Sequence, residues 1–337
     1  MTKLLRQSVM TSMVAVLTLL WAGTAVASGD YTSRAEVKAF AEEMQAEHGF
    51  TTDGIMMVLG QAQYQQKVID YISRPAEKRL TWKEYQDIFL TESRAKGGRE
   101  FIQTHQPAFQ KAWEDYGVPA SIISAVIGVE TLYGKRRGTF RVLDALTTLA
   151  FDYPPRSAFF RKELVQFLLL VREEEQSVTE LLGSYAGAMG YGQFIPSSYR
   201  HYAVDFNGDG IRDIWNDPVD AIGSVASYLS RHGWQQNGVI VVPATLTMSE
   251  TSTEIFNTSL KPSVSVADLV KQGVKPSVTL PDEDIAAPFL YKGKQGDEYW
   301  LGLKNFYVIT RYNHSKLYAM AVFQLSQRIE SASLARF

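Results

Sequence analysis

The stretch Ser121-Ile-Ile-Ser-Ala-Val-Ile-Gly-Val-Glu130 decides the reading of the fold. It is an apolar run that ends on one carboxylate. Pro119 suits the first turn of a helix and Gly134 a stop just beyond it, so the spacing predicts a helix carrying Glu130 near its C-terminal end. Two effects raise the pKa of a glutamate placed there. Apolar surroundings disfavour the charged form, and the negative end of the helix dipole disfavours a further anion. A carboxylic acid that keeps its proton near neutral pH can donate it to a leaving-group oxygen. The rival reading is a surface glutamate paired with Lys135, Arg136 or Arg137.

Working outward, a second marked stretch follows some way on, Ser184-Tyr-Ala-Gly-Ala-Met-Gly-Tyr-Gly-Gln-Phe-Ile-Pro196. Gly187, Gly190 and Gly192 permit tight turns and close approach of a ligand. Ser184 and Gln193 are the polar residues placed to hydrogen-bond one. No Gly-Lys-Ser/Thr is present, so this is not a phosphate loop. The alternative is a compact turn packed on the core. Glycosidases normally use two carboxylates, yet neither Asp144 nor Asp152 has the flanks or spacing of a partner for Glu130. If Glu130 acts alone, a substrate hydroxyl can serve as nucleophile, with the same carboxyl acting first as acid and then as base.

Asp205-Phe-Asn-Gly-Asp209-Gly-Ile-Arg-Asp213 follows the first nine positions of an EF-hand loop. Asp205, Asn207 and Asp209 supply oxygen at positions one, three and five, Gly210 makes the turn, Ile211 offers its carbonyl, and Asp213 can hold a water. Position twelve is Asn216 instead of Glu. Asp217, just before Pro218, is either the last ligand or a helix N-cap, or both. The expected cofactor is a structural Ca²⁺ of weak affinity, and no organic cofactor is expected. A metal-free Asp/Asn/Gly turn is the alternative. No His-Glu-x-x-His occurs, which argues against a zinc hydrolase.

The chain has 337 residues, 45% hydrophobic and 21% charged, with a formal net charge of -2. That composition is globular and gives no footprint for nucleic acid or for electrostatic membrane docking. Residues 1–27 read as a signal peptide, with Lys3 and Arg6, an apolar stretch, and the small-x-small site Ala25-Val-Ala27. There is no Cys, which excludes disulfides and a lipidated N-terminal cysteine. The expected class is mainly α, with a smaller β-containing part (α+β). Residues 28–117 read as helical, with capping-box spacings at Ser33/Glu36 and Thr81/Glu84, and with Lys96-Gly97-Gly98 as a break or bend. Residues 118–237 hold the catalytic core, including helices near 161–175 and 218–232. Residues 238–297 read as a small β-containing insertion. Residues 298–337 return to the main body, first as extended structure through Asn305–Asn313, then as a helix capped by Ser315.

Taken together, these segments resemble the lytic murein transglycosylase B family. The resemblance is carried by Ile127-Gly-Val-Glu-Thr131, Val142–Leu149, Ser184–Tyr199, Asp205–Asp220 and Asn305–His314, in family order across most of the chain. It implies a lysozyme-like core flanked by a helical domain and a small β domain. It implies that Glu130 is the single catalytic acid and base, and that Ser184, Gln193, Phe194, Tyr228, Tyr312, Asn313 and Tyr318 line the glycan groove. In the family two arginines follow Tyr-Pro; here Tyr153-Pro154 is followed by Pro155-Arg156, so only Arg156 carries over. The metal loop is one residue longer before its Pro than in the lipoprotein members. The implied partners are peptidoglycan glycan strands and, further, other cell-wall enzymes. The implied compartment is the periplasm, with no membrane anchor on the mature protein.

Overall fold

The computed structural model describes residues 30–74, 80–247 and 253–334. The expected signal peptide lies outside the described residues. Seven helices come first: α1 (Ala35–His48), α2 (Thr52–Leu59), α3 (Gln66–Ser73), α4 (Trp82–Phe89), α5 (Glu92–Thr104), α6 (Gln106–Tyr116) and α7 (Ala120–Thr131). A two-residue strand β1 (Phe140–Arg141) leads into α8 (Val142–Asp152) and α9 (Ser157–Glu173). The short strand β2 (Leu182–Gly183) returns to pair with β1, and α10 (Pro196–Tyr202) and α11 (Pro218–Arg231) follow.

Helix α7 is the axis of the molecule. Every residue from Ser121 to Val129 is buried, and α5, α6, α11 and α14 (Lys316–Leu334) pack around it. A helix that is apolar on all sides is stable only when enclosed in this way. Its hydroxyls are satisfied internally: Ser124 donates to the Gly98 carbonyl at 3.2 Å.

Two local expectations are corrected. Helix α5 runs unbroken through Gly97 and Gly98. The two glycines act by close approach: an added Cβ would stand 2.8 Å from the Tyr133 ring at Gly97 and 2.5 Å from Ile329 at Gly98. At the start of α1 there is no capping box at Ser33. The N-cap is Arg34, without a side-chain cap, and Asp30 caps the preceding turn. The Thr81/Glu84 box is present, with both reciprocal hydrogen bonds.

The N-terminal helices are tied to α8 by the two aspartates that lacked partner spacing. Asp152 accepts from Tyr31 at 2.8 Å and pairs with Arg34 at 2.7 Å. Asp144, 3% exposed, is held by Arg141 at 2.6 Å and accepts the Gln63 amide at 2.9 Å. Both carboxylates are therefore committed to holding layers together.

Strands β3 (Val241–Leu246), β4 (Val264–Ser265), β5 (Val274–Pro276), β6 (Ile285–Gly293) and β7 (Gly296–Gly302), with α12 (Val266–Lys271), form one antiparallel sheet in the order β4-β6-β7-β3-β5. Val242, Phe256, Leu269, Val274 and Leu301 make a second, smaller apolar core beneath it. The segment expected to return as extended chain is helix α13 (Lys304–Tyr312). Its β-branched and aromatic residues favour a strand locally, but Asn305, Phe306, Ile309 and Thr310 fall on one buried helical face. Asn305 is fixed from both ends, accepting the Gln235 amide at 2.8 Å and donating to the Gln235 and Gly238 carbonyls at 2.7 and 3.0 Å. The Ser315 hydroxyl accepts the Tyr318 amide at 3.4 Å at the head of α14.

Candidate active site

Glu130 is the last-but-one residue of α7 and is half-buried, where the residues before it are enclosed. The helix stops by backbone conformation. Leu132 and Tyr133 both take left-handed φ, 51° and 59°, a state that costs a non-glycine residue about 1 kcal/mol or more. Tyr133 is held there by its hydroxyl, which donates to the Arg94 carbonyl at 2.8 Å, and by a socket without side chains. An added Cβ would stand 2.5 Å from its hydroxyl at Gly128 and 2.7 Å at Gly98. Arg94, 8% exposed, donates to the Gly128 carbonyl near the end of α7. Arg94 and Tyr133 were not singled out from the sequence, because they act on each other's part of the chain across 39 residues.

Thr131 joins this corner to the glycine-rich stretch, donating to the Tyr191 carbonyl at 2.9 Å. Gly192 lies against Tyr312: the phenol donates to the Gly192 carbonyl at 2.6 Å, and a Cβ there would stand 2.7 Å from the phenol oxygen. Phe194, Tyr228 and Tyr312 form a triangle of rings with centroids 5.8, 5.8 and 4.7 Å apart. Tyr318 stacks on Tyr312 at 6.3 Å with planes 8° apart. These four residues come from three separate places in the sequence, around 194, 228 and 312–318, and are brought together.

Burial pushes the Tyr312 and Tyr318 phenols well above the ordinary tyrosine range, and the negative charge of Glu130 pushes both further. They stay neutral and able to donate. The buried Tyr318 hydroxyl meets no partner at full hydrogen-bond geometry, although hydrogen bonding from the neighbouring Glu130 contributes to its shift. We read the two groups as adjacent, without a tight bond.

The remaining expected groove residues divide. The Ser184 hydroxyl oxygen accepts the Ala186 and Ala188 amides at 3.2 and 3.1 Å, so it shapes its own turn. Gln193, at φ 52°, donates to the Gly190 and Arg137 carbonyls at 2.9 and 3.2 Å, leaving its amide oxygen as acceptor. Asn313 is the half-buried C-cap of α13, and His314 beside it is engaged by Arg311 at 2.9 Å. Arg156 lies over the Phe159 and Phe160 rings at 4.4 and 5.1 Å, and among the described residues it makes no contact with the ring cluster.

In the aspartate loop, Asp205 accepts the amides of Gly208, Asp209 and Gly210 at 2.7, 3.1 and 2.8 Å. The Asn207 amide nitrogen lies 3.0 Å from Asp209 Oδ2 and 2.7 Å from Asp217 Oδ2. A weakly positive donor thus holds the place between two carboxylates that a cation would balance, and the oxygen-rich donor set fits hard calcium. Among the described residues no three acidic or histidine side chains converge by themselves, so a bound cation also needs Asn207 and the Ile211 carbonyl. Asp217 caps α11 with its other oxygen, 2.6 Å from the Val219 amide. Asp220, fully buried, was not foreseen: it accepts the Phe206 and Asp213 amides at 2.7 and 2.8 Å and clamps the loop from beneath.

The family model described as the transglycosylase SLT domain matches residues 32–327. The chain belongs to this transglycosylase family. It is 40% identical over 313 residues to the membrane-bound lytic murein transglycosylase B of Escherichia coli, covering 90% of this chain and 85% of that one. The fold is similar to that of catenated lytic transglycosylase SltB1 from Pseudomonas aeruginosa, at TM-score 0.87 and 46% identity, over 91% of this chain and all of that one (100%). It is similar also to the Escherichia coli lytic transglycosylase Slt35 in complex with calcium, at TM-score 0.83 and 41% identity, covering 92% and 96% of the two chains. The lysozyme-like core flanked by helices and a small sheet is thus the architecture of this transglycosylase. Among its described residues no helix is long and apolar enough to cross a membrane.

Proposed function

We propose that Glu130 serves this peptidoglycan lytic transglycosylase as its only acid and base. The observation that carries the reading is the pairing of one half-buried carboxyl with two neutral phenols, Tyr312 and Tyr318, while Asp144 and Asp152 are held by structural partners. Glu130 gives its proton to the oxygen between N-acetylmuramic acid and N-acetylglucosamine. Positive charge develops at muramic C1 as that bond breaks. The carboxylate then takes the proton of the muramic C6 hydroxyl, whose oxygen closes on C1 to leave a 1,6-anhydro end. Phe194, Tyr228, Tyr312 and Tyr318 are the aromatic residues of the groove, with Phe194, Tyr228 and Tyr318 buried beneath its surface, and Gln193, Asn313 and Ser184 supply polar contacts. Arg156 is kept as a contact for a more distant part of the substrate. The division at residues 28–117, 118–237, 238–297 and 298–337 and a periplasmic location belong to the same reading.

The test is the source of the oxygen at the new ends. With murein digested in water enriched in heavy oxygen, mass spectrometry is expected to find anhydro ends free of label. Labelled reducing ends would mean hydrolysis by the same glutamate and would overturn the intramolecular step.

The loop carrying Asp205, Asn207, Asp209, Ile211, Asp213 and Asp217 is read as a structural calcium site. Binding to the folded state alone stabilises by mass action, about 2.7 kcal/mol at a hundredfold excess over Kd. After thorough chelation, added calcium should raise the melting temperature, and Asp209→Ala should abolish that rise while leaving most of the activity at low temperature. An unchanged melting temperature on adding calcium would reduce the loop to a turn.

A further inference from the structure

A recess lies at the head of α14. It has a volume of about 320 Å³ and is lined by Trp82, Leu290, Tyr291, Lys292, Lys316 and Leu317 among others, with no acidic residue among the described residues of its lining. Lys292 is already paired with Asp297 at 2.7 Å. Lys316 is paired with no acid among the described residues. Its ammonium donates once, to the Leu290 carbonyl at 2.9 Å, and lies 5.1 Å above the Tyr291 ring. That carbonyl is shared with the Asn257 amide at 3.3 Å. Two of the three ammonium protons therefore have no protein acceptor among the described residues. Burial alone draws Lys316 down to about 8, so the desolvation is not offset by any neighbouring carboxylate. A half-buried ammonium without a counter-ion is costly, and an arriving anion relieves that cost.

The position matters as much as the charge. Lys316 and Leu317 line the recess, and the next residue along α14 is Tyr318, which stands beside Glu130. We infer that this recess is a subsite for a carboxylate of the acidic peptide carried by the glycan, with the Lys316 ammonium as its partner and Leu290 and Leu317 against the peptide's apolar side chains. The inference rests on the murein reading above.

Calorimetry should compare the full chain with Lys316→Met, using glycan strands stripped of peptide and the same strands with peptides intact. A charge-assisted hydrogen bond lost from a partly enclosed site weakens binding about tenfold. That loss is expected for the peptide-bearing strands only, and Lys316→Arg should restore it. Should the Met variant fold poorly, Lys316→Gln keeps a donor for Leu290, removes the charge and carries the same comparison. Equal losses on both ligands would assign Lys316 to the fold, a loss confined to the stripped strands would assign it to the lactyl carboxylate that removal of the peptide frees, and no loss on either would leave the recess without a ligand; each overturns the subsite. Because the readout is binding, a hydrolytic outcome of the heavy-oxygen test would overturn the proposed chemistry without touching this result.

Discussion

Glu130→Gln is expected to lower turnover of murein by at least about a hundredfold, the scale on which a positioned general acid–base contributes. The side chain keeps its size and its hydrogen-bonding reach and loses only the exchangeable proton. Glu130 is half-buried beside the neutral Tyr312 and Tyr318 phenols, and Asp144 and Asp152 are held by Arg141 and Arg34. Melting temperature and glycan affinity should therefore stay close to those of the unaltered chain. Release of anhydro ends, followed by mass spectrometry, reads the rate. Turnover within a few-fold of normal would show that another group moves the proton.

The second large effect is on the backbone of the glycine-rich stretch. Gly190 sits at φ +70°, and an added Cβ would stand 2.4 Å from the Ile214 carbonyl oxygen. Neither term can relax cheaply. The left-handed conformation costs an alanine about 1–2 kcal/mol, and forcing atoms into a packed backbone costs about 1–3 kcal/mol more. Gly190→Ala should therefore lose about 2–5 kcal/mol of stability, a large share of the margin of a typical domain. Gly49 separates the two causes, since it has φ +68° with nothing within 4 Å of its Cβ position. Gly49→Ala should show only the conformational part, about 1–2 kcal/mol. Denaturant midpoints for the pair decide it: equal losses would mean that the Ile214 carbonyl yields and that packing of the glycine-rich stretch is not what fixes the groove.

Where local chemistry is sufficient, the sequence was legible. The Thr81/Glu84 box is formed, because both partners lie within one turn. Pro218 opens α11 with Asp217 as its N-cap. The apolar run before Glu130 is an enclosed helix, because a segment without a polar face has no other stable place in water. The order of oxygen-bearing residues in the aspartate loop is likewise a local matter and could be read directly, as could the resemblance that named Phe194, Tyr228, Tyr312 and Tyr318.

Other features depend on atoms brought from far along the chain, and those only the tertiary structure decided. Tyr-Val-Ile-Thr within α13 favours a strand by itself, yet burial of one helical face and the anchoring of Asn305 to Gln235 and Gly238 overrule that preference. Gly97-Gly98 signals a break by composition, but the Tyr133 ring and Ile329 need the space that the glycines leave, so α5 continues. Asp144 and Asp152 lack the flanks and spacing of a partner carboxylate, but only the fold shows what they do instead: Arg141 and Arg34 hold them. The carboxylate of Glu130 was determined by the sequence. Its setting was decided by the fold, because the desolvation that keeps Tyr312 and Tyr318 neutral comes from packing between residues that are far apart in the chain.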